Sequence, residues 1–301
     1  MSVRSSLIIF LSFFSLCLCK PFPVVGILAH PTPTALESYG ERYIAASYVK
    51  WIDFAGARTV PVQFSSPMSE IRQLMSKLDG ILLPGGLNFG NLPEVVCSIY
   101  QEAIAINKHR PFALFGTCLG FEQMAVCEGV ELERFDSNDI ALPLDISPQG
   151  FSSRILAGLD PQLLRDLQRL NVTFNNHGYG VSVREFQKSG MSENYVLVSE
   201  NKDRQGKRFV STFEHKLLPF FAVQWHPEKV LFEYDPTQSV PHGKTSVLVA
   251  QFFANQFVDY ARKAQGTMTL EEAEARTFNA LPVTYTFPIW SYFAQCYFFK
   301  D

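Results

Sequence analysis

Short apolar runs alternate with helix-like periods between Pro23 and Cys127, and this alternation is the feature that most constrains the fold of the chain. Each run is long enough for one buried strand, and each period places apolar side chains on one face of a helix. Parallel strands joined by helices need right-handed crossovers, which put helices on both faces of the sheet. The sequence therefore predicts an α/β fold with a mostly parallel central sheet.

The predicted elements of this first half are strands and helices in strict alternation, separated by turn residues such as glycine and proline. The strands are predicted over 24–29, 59–62, 80–83 and 112–115. The helices are predicted over 41–55, 69–78, 93–108 and 119–127. Each strand is followed by a helix, which is the pattern of consecutive βαβ units.

Beyond Gly129 the pattern changes to short strand candidates separated by polar turns, which predicts an antiparallel extension of the sheet. These strands are predicted over 140–144, 172–175, 181–183, 195–199, 209–213 and 220–223. A long amphipathic helix is predicted over 246–263, and the aromatic-rich tail at 287–299 is expected to pack back onto the body. The two halves together predict a three-layer α/β sandwich whose mostly parallel sheet is extended by antiparallel strands.

The first nineteen residues have the pattern of a secretory signal peptide. Arg4 supplies a basic start, an apolar run covers 7–18, and the small residues Cys17 and Cys19 fit the −3 and −1 positions of a cleavage site. The run is shorter than the roughly 20 apolar residues that a membrane span needs. A signal anchor or a buried strand is the alternative. No repeat, low-complexity tract or linker follows, so we expect a signal peptide at 1–19, a single domain at 20–301 and no membrane contact after cleavage.

Charge and cysteine content exclude several classes of protein. A formal net charge of −3 gives no electrostatic reason to expect a nucleic-acid partner, and 47 % hydrophobic residues exclude a disordered chain. Four of the six cysteines lie beyond the predicted signal. If one is reserved for chemistry, the other three cannot all pair with one another, and their pairing stays open. Asn171 begins an Asn-Val-Thr sequon, which makes it a glycosylation candidate in a secreted protein.

The sharpest local motif is Gly-Thr-Cys-Leu-Gly at 116–120, which lies between a predicted buried strand and a predicted helix. Such a strand–turn–helix is the nucleophile-elbow arrangement, here with the sulfur of Cys118 in place of a serine hydroxyl. The glycines leave room for the sharp turn, and the helix N-terminus favours a thiolate. The alternative is an inert cysteine buried in a tight turn.

A base and an orienting carboxylate follow another apolar strand, in the motif Gln-Trp-His-Pro-Glu at 224–228. His226 lies at the strand end, and Glu228 is placed to accept a hydrogen bond from the imidazole. The Gly85 and Gly86 backbone N–H groups at the end of the strand over 80–83, together with that of Leu119, are predicted to bind an oxyanion. A plain turn is the alternative for the two glycines.

No metal or cofactor is predicted for this chain. It contains no His-Glu-x-x-His and no paired Cys-x-x-Cys motif, which are common metal-binding patterns. Ser47 and Lys50 have Ser-x-x-Lys spacing, but they lie in a helix-patterned segment without the partner motifs of that chemistry. Gly243, Lys244 and Thr245 match the end of a phosphate-loop motif, but the glycine that begins this motif is missing from the residues before them.

These motifs together resemble the class I glutamine amidotransferase-like (flavodoxin-like) superfamily. Within it, the segments 43–50, 116–122, 224–229 and 295–297 are similar to the gamma-glutamyl hydrolase family. The resemblance runs from about Pro23 to the C-terminus. It implies a secreted, lysosomal or vacuolar cysteine peptidase acting on folate and antifolate poly-gamma-glutamates, and it suggests a homodimer.

The resemblance also implies roles for particular residues. Cys118 is the nucleophile, His226 the general base and then acid, and Glu228 the orienting carboxylate. The family's substrate-side positions correspond to Tyr48, Glu122 and His177. Simpler alternatives are a core aromatic for Tyr48, a surface carboxylate for Glu122 and a polar turn for His177.

Two other functions compete with this interpretation. A glutaminase subunit that supplies ammonia to a synthase would share the catalytic residues, but it needs a partner domain or chain, and a secretory signal argues against it. A catalytically silent secreted binding protein could use the same fold. A polyanionic substrate also requires a local cluster of Lys or Arg, which the sequence does not identify.

Overall fold

The computed structural model describes residues 20–87, 90 and 92–300. The predicted signal peptide at 1–19 lies outside the described residues. Within the described part of the chain, no helix combines the length and apolar character needed to cross a membrane.

The helices and strands have the following bounds. The strands are β1 Val24–Pro31, β2 Arg42–Ala45, β3 Arg58–Gln63, β4 Gly80–Leu83, β5 Ala113–Thr117, β6 Glu133–Leu142, β7 Asp145–Ile146, β8 Thr173–Gly180, β9 Tyr195–Lys202, β10 Arg208–His215, β11 Phe220–Val223, β12 Thr284–Tyr285 and β13 Gln295–Phe299. The helices are α1 Ala46–Phe54, α2 Met68–Met75, α3 Leu92–Asn107, α4 Leu119–Cys127, α5 Pro161–Leu167, α6 Val183–Lys188, α7 Met191–Asn194, α8 Pro227–Phe232, α9 Lys244–Arg262 and α10 Leu270–Glu274. Short 3₁₀ helices cover Thr34–Tyr39, Gly150–Ser152 and Phe278–Ala280.

The main sheet has a parallel centre and an antiparallel extension, as the sequence predicts. Strands β3, β1, β4, β5 and β11 lie side by side in parallel. Strands β10, β9 and β7 continue the sheet beyond β11 in antiparallel orientation. Leu83 pairs with Gly116, and Val223 pairs with Thr117. The carboxyl ends of β4, β5 and β11 therefore meet at one edge of the sheet.

Helices cover both faces of this sheet, which confirms the three-layer arrangement. Trp51 of α1 and Phe253 of α9 belong to the apolar cluster on one face. Ile71 of α2, Ile99 of α3 and Met124 of α4 belong to the cluster on the other. Burying a large apolar side chain stabilises a fold by roughly 1.5–3 kcal/mol, so these two clusters hold the helices against the strands.

The helix predicted over 41–55 is wrong in its first turn. Arg42–Ala45 is instead the strand β2, and the helix α1 begins only at Ala46. Strand β2 is hydrogen-bonded to β13, with Ala45 opposite Cys296, and to the end of β1, with Tyr43 opposite His30. Because both edges of the segment are paired with distant strands, tertiary hydrogen bonds override its helical periodicity.

Three of the predicted extension strands differ from the structure. The segments at 140–144 and 172–175 fall in or beside β6 and β8, which pair as a separate two-stranded sheet rather than in the main one. The segment at 181–183 is not a strand. Ser182 makes one isolated bridge to Phe209, and its hydroxyl oxygen accepts the Glu185 N–H at 3.1 Å to cap the helix that begins at Val183.

The aromatic tail packs back onto the body, as predicted, and it does so as the strand β13 against β2. The cysteine pairing left open by the sequence is also determined. Cys97 of α3 and Cys127 at the end of α4 form a disulfide, whereas Cys118 and Cys296 are free and buried. The disulfide thus joins the two helices at the far end of α4 from Cys118.

Candidate active site

Three of the predicted catalytic segments converge at the shared carboxyl edge of β4, β5 and β11. A methyl group placed on Gly85, just beyond β4, would stand 2.9 Å from Cε1 of His226 and 3.1 Å from Cβ of Cys118. Glycine is therefore required at position 85 because the histidine ring and the cysteine occupy the space of a side chain. The fold brings Gly85, Cys118 and His226 into one small volume.

Cys118 occupies a strained turn between β5 and α4. Its φ of 47° and ψ of −105° are rarely adopted by a residue with a side chain. The turn is held by the Cys118 N–H, which donates to the Val223 carbonyl at 2.9 Å, and by the close approach of α4 to β4. A methyl group on Gly120 would lie 2.1 Å from the carbonyl oxygen of Leu83. The arrangement is the nucleophile elbow that the motif predicts.

Cys118 is 7 % exposed and lines a cavity. Burial raises its pKa well above the usual value, and the nearby carboxylates of Glu122 and Glu228 act in the same direction. The Leu119 N–H and the Lys229 ammonium act in the opposite direction on this pKa. The thiol therefore keeps its proton until a base takes it during attack.

His226 is oriented by Glu228. Its Nδ1 lies 2.7 Å from Oε1 of the fully buried Glu228, so the Nδ1–H donates to the carboxylate and the lone pair is left on Nε2. The His226 backbone N–H donates to the Phe174 carbonyl of β8 at 2.8 Å. Pro227 begins α8 directly after the histidine, which places Glu228 in the first turn of that helix. A neutral imidazole held in this tautomer can act as a general base.

Tyr48 of α1 lies beneath the same site rather than only in the core. Its hydroxyl oxygen accepts the Gly85 N–H at 2.8 Å and lies 3.4 Å from Nδ1 of His226. The predicted oxyanion donor at Gly85 is thus already bonded within the protein, which corrects its predicted role. Gly86 and Leu119 both line the cavity and stay the candidate donors.

The cavity has a volume of about 770 Å³ and contains both Cys118 and His226 in its lining. Its walls differ in chemistry. One wall is polar and is formed by Glu122, Asn138, Asn176 and His177. The other wall is aromatic and is formed by Trp290, Tyr292 and Phe293. The cavity therefore offers an amphipathic ligand both a polar and an aromatic surface.

Glu122 lies one turn into α4, and its side chain is buried rather than at the surface. One carboxyl oxygen accepts a hydrogen bond from Nε2 of Gln224 at 3.0 Å. Burial raises the pKa of Glu122 to about 8. The group is therefore protonated near neutral pH and can donate a hydrogen bond into the cavity.

His177 lies on β8, in the polar wall, and is buried. Its Nδ1–H donates to the Tyr179 carbonyl at 2.7 Å, and burial lowers its pKa to about 4. The ring is therefore neutral, and Nε2 carries a lone pair with no hydrogen-bond partner among the described residues. Glu122 and His177 thus line the cavity that contains Cys118 and His226, and Tyr48 contacts Gly85 and His226 directly behind it; their substrate roles stay predictions.

Lys229 is a site residue that the sequence analysis missed. It is 1 % exposed, its ammonium donates to the Tyr292 carbonyl, and it lies 4.5 Å above the centre of the Phe293 ring. Burial lowers its pKa, while Glu233 and Glu228 oppose that shift. Its position directly after Glu228 could have identified it as a site residue, since both residues lie in the first turn of α8 and Lys229 lines the cavity. Among the described residues lining the cavity, it is the one cation.

Two further sequence predictions are placed by the structure without being tested. Asn171 is exposed just before β8, while Thr173 of the same sequon is buried, and its glycosylation stays a prediction. In the part of the chain that the structure describes, no three His, Cys, Asp or Glu residues are grouped so that they could hold a metal ion.

The sequence of the chain is similar to a known protein family and to several named proteins. The family model described as "Glutamine amidotransferase class-I" matches residues 44–238. Gamma-glutamyl hydrolase B of Dictyostelium discoideum is 31 % identical over 88 % of this chain and 80 % of the relative. The human gamma-glutamyl hydrolase is 34 % identical over 92 % and 89 %, and gamma-glutamyl hydrolase 1 of Arabidopsis thaliana is 32 % identical over 80 % and 72 %.

A solved structure supports the fold independently. The crystal structure of SMU.1228c matches with a TM-score of 0.51 and 15 % sequence identity, over 79 % of this chain and 99 % of the other. At that identity the match bears on the fold alone. The family model and the relatives, whose length the chain largely covers, carry the assignment further. The chain belongs to the gamma-glutamyl hydrolases, within the class I glutamine amidotransferases.

Proposed function

We propose that this protein hydrolyses gamma-glutamyl isopeptide bonds in folyl and antifolyl poly-gamma-glutamates, with Cys118 as the nucleophile. The observation that carries the proposal is the placement of Cys118, on its strained turn, in one cavity with the His226–Glu228 pair. The names of the relatives supply the bond type, since each is called a gamma-glutamyl hydrolase.

Acylation begins with attack of the Cys118 sulfur on the gamma-carbonyl carbon. Nε2 of His226 takes the thiol proton as the carbon–sulfur bond forms, so the buried thiol never needs to ionise beforehand. The Gly86 and Leu119 N–H groups stabilise the oxyanion. The carbon–nitrogen bond then breaks, and the imidazolium returns the proton to the departing amine of glutamate or an oligoglutamate.

Deacylation uses the same groups in the opposite direction. Nε2 of His226 takes a proton from water as the water oxygen attacks the thioester carbonyl. The carbon–sulfur bond breaks, and the sulfur of Cys118 recovers the proton from the imidazolium. The Glu228 carboxylate stabilises the imidazolium in both steps and holds the ring in its orientation.

Substrate binding uses three polar side chains that line the cavity with the nucleophile. The Lys229 ammonium is the counter-charge for one glutamate α-carboxylate near the reacting carbonyl. Glu122 in its protonated form donates to a carboxylate, and Nε2 of His177 accepts from an amide N–H. Tyr48 acts through Gly85 and His226, whose positions it holds, rather than by touching the substrate.

The test is product release from pteroylpentaglutamate by the chain beginning at Lys20. Shorter folates or free glutamate are expected from the wild type, with a loss of about a thousandfold or more in Cys118→Ala. Cys296→Ala is the matched control, because Cys296 is the other free buried cysteine and lies outside the cavity lining.

Free glutamine is tested beside the folate. Cleavage of glutamine alone would favour the glutaminase alternative, and no turnover of either compound together with an unreactive Cys118 would favour the silent binding protein. Activity that survives in Cys118→Ala would show that another group is the nucleophile.

The cellular setting is proposed on the N-terminal sequence and the family. The chain enters the secretory pathway, loses residues 1–19, and works outside the cell or in a lysosome or vacuole. It does so as a homodimer without membrane or nucleic-acid partners. N-terminal sequencing of the protein recovered from the medium or organelle should begin at Lys20. A retained segment at 1–19 would contradict the cleavage.

A further inference from the structure

The aromatic wall of the cavity belongs to the loop that joins β12 to β13, and no step of the proposed chemistry uses it. Trp290 and Tyr292 both line the cavity, and their ring centres are 5.3 Å apart. The Tyr292 side chain is 52 % exposed. Exposed aromatic rings beside a catalytic sulfur are a binding surface for a flat apolar group.

The wall is held in place by the loop's own hydrogen bonds. The Thr286 N–H donates to the Ala294 carbonyl at 2.9 Å, and the Trp290 N–H donates to the Thr286 carbonyl at 2.9 Å. The Thr286 hydroxyl also donates to the Phe293 carbonyl at 2.7 Å. Trp290 packs edge-on against Tyr43 of β2, with ring centres 5.6 Å apart. The rings are therefore positioned before any ligand arrives.

Lys229 contacts this wall and lines the same cavity as the nucleophile. Its ammonium donates to the backbone carbonyl of Tyr292 and lies 4.5 Å from the centre of the Phe293 ring. Cys118 lines the same cavity, so the aromatic rings, a buried cation and the sulfur are neighbours in one site.

The proposed substrates have matching groups in the same covalent order. In an aroyl glutamate, the aromatic ring is joined through an amide to the α-carbon, which bears the α-carboxylate. Two methylene groups then lead to the gamma-carbonyl. With the ring on the wall and the carboxylate at Lys229, this gamma-carbonyl would lie in the cavity that Cys118 also lines.

Resting on the proposed function, we propose that Trp290 and Tyr292 form a subsite for the aroyl group on the acyl side of the scissile bond. The bond selected is then the innermost gamma-linkage. The polar wall with Asn138, Asn176 and His177 receives the oligoglutamate that leaves as the amine. Cleavage is therefore internal. The oligoglutamate is released in one piece, and the aroyl monoglutamate stays on Cys118 as the thioester until water hydrolyses it.

The test compares two synthetic substrates that differ only in their acyl cap. They are p-aminobenzoyl-tri-gamma-glutamate and its N-acetyl counterpart, which lacks the ring. We expect wild-type kcat/KM to be about tenfold higher for the aromatic compound. The first products are expected to be p-aminobenzoyl-monoglutamate and intact diglutamate.

Variants distinguish binding of the ring on the aromatic wall from an effect on the catalytic residues. Trp290→Ala should lower kcat/KM about tenfold for the aromatic substrate, mainly through KM, and less than twofold for the acetyl substrate. Trp290→Phe keeps a ring and should retain most of the preference. Tyr285→Ala is the matched control, because Tyr285 is an exposed aromatic of the same hairpin that does not line the cavity.

The outcomes are distinguishable. Equal wild-type rates on the two substrates, or an equal loss on both in Trp290→Ala, would overturn the aroyl subsite while leaving the hydrolase intact. Release of a single glutamate as the first product would show that the outermost bond is cleaved, and it would overturn the proposal that the ring on the wall selects the innermost bond. Failure of the wild type to cleave either substrate would instead count against the proposed function. The wild-type comparison does not depend on any variant folding.

Discussion

Glu122 shows how burial changes the chemistry available to a single residue. An ionised carboxylate in the cavity would repel a polyanionic substrate, but burial raises the pKa of this group to about 8. It therefore stays neutral through most of the physiological range. Its hydrogen bond from Gln224 fixes one oxygen and leaves the other able to donate when protonated.

The pH dependence of substrate binding follows from that protonation. Above pH 8 Glu122 loses its proton, gains a negative charge and becomes repulsive toward substrate carboxylates. At pH 9 about one site in ten keeps the proton, so KM for pteroylpentaglutamate should rise about tenfold between pH 7 and pH 9. Glu122→Gln, which is neutral at every pH, should flatten this rise. Steady-state kinetics from pH 5.5 to 9 measures both profiles.

Glu272→Gln provides the comparison for a carboxylate outside the site. Glu272 is paired with Lys77 at the surface, and its substitution should leave the KM profile of the wild type unchanged. An unaltered alkaline rise of KM in Glu122→Gln would assign the titration to another group.

At the scale of elements, the sequence predicts the catalytic edge of the sheet best. Strands over 80–83 and 220–223 and the helix over 119–127 have the predicted bounds. Each is specified locally, by an apolar run with a glycine or proline at its end or by a glycine turn leading into a helix. The elbow at Cys118 was predictable for the same reason, since its strand, turn and helix are contiguous.

The features that were not predicted depend on partners distant in the chain. Arg42–Ala45 is a strand because β13, some 250 residues away, lies beside it. Lys229 becomes a site residue only because Tyr292 and Phe293 fold over it. The Cys97–Cys127 pairing likewise requires α3 and α4 to be adjacent. Local periodicity contains no information on these long-range contacts.

The junction between β4 and α4 gives a prediction at this scale. Gly120→Ala would place a methyl group 2.1 Å from the Leu83 carbonyl oxygen, so the helix must move away from the strand. We expect Tm to fall by roughly 5 °C or more and kcat to fall more than tenfold, because the movement separates Cys118 from the Gly86 loop. Calorimetry and single-turnover kinetics test the two effects.

Gly243→Ala is the matched substitution. Gly243 precedes α9, has a φ of −64°, and its added methyl group would meet nothing within 4 Å. Its Tm and kcat should stay near those of the wild type. Wild-type kcat in Gly120→Ala would mean that the close contact of α4 with β4 does not set the position of Cys118.

At the scale of the whole molecule, the cavity is assembled from parts that no single segment of the chain contains. The parallel sheet positions Cys118 and His226, the separate β6–β8 sheet and Glu122 of α4 form the polar wall, and the C-terminal hairpin forms the aromatic wall. Packing these layers buries ionisable groups that would otherwise be hydrated. The stability of the protein is therefore linked to pH through groups that the fold holds neutral.

Two fully buried histidines contribute to the acid side of that linkage. Burial lowers the pKa values of His30 and His177 to about 4, from 6.5 in an exposed histidine. As pH falls from 6.5 to 4, the unfolded chain binds protons at these positions that the folded chain does not, so folding becomes less favourable. Each histidine should cost about 3 kcal/mol of unfolding free energy over this window. Glu122 has the opposite sign, since its raised pKa lowers stability as pH rises from 4.5 to 8.

His30→Gln tests the acid side at a residue that no catalytic step uses, and unfolding free energy is measured because the His30 ring on β1 lies against Gly86. The variant removes one proton-binding site from the unfolded chain, so its unfolding free energy should fall less steeply than that of the wild type between pH 6.5 and 4.5. His109→Gln, at an exposed position, should keep the wild-type slope. Urea unfolding at pH 4.5, 5.5 and 6.5 measures these slopes. Parallel slopes for wild type and His30→Gln would mean that His30 takes up its proton in the folded protein, and the acid sensitivity would then come from other groups with lowered pKa values, such as His177 and His215.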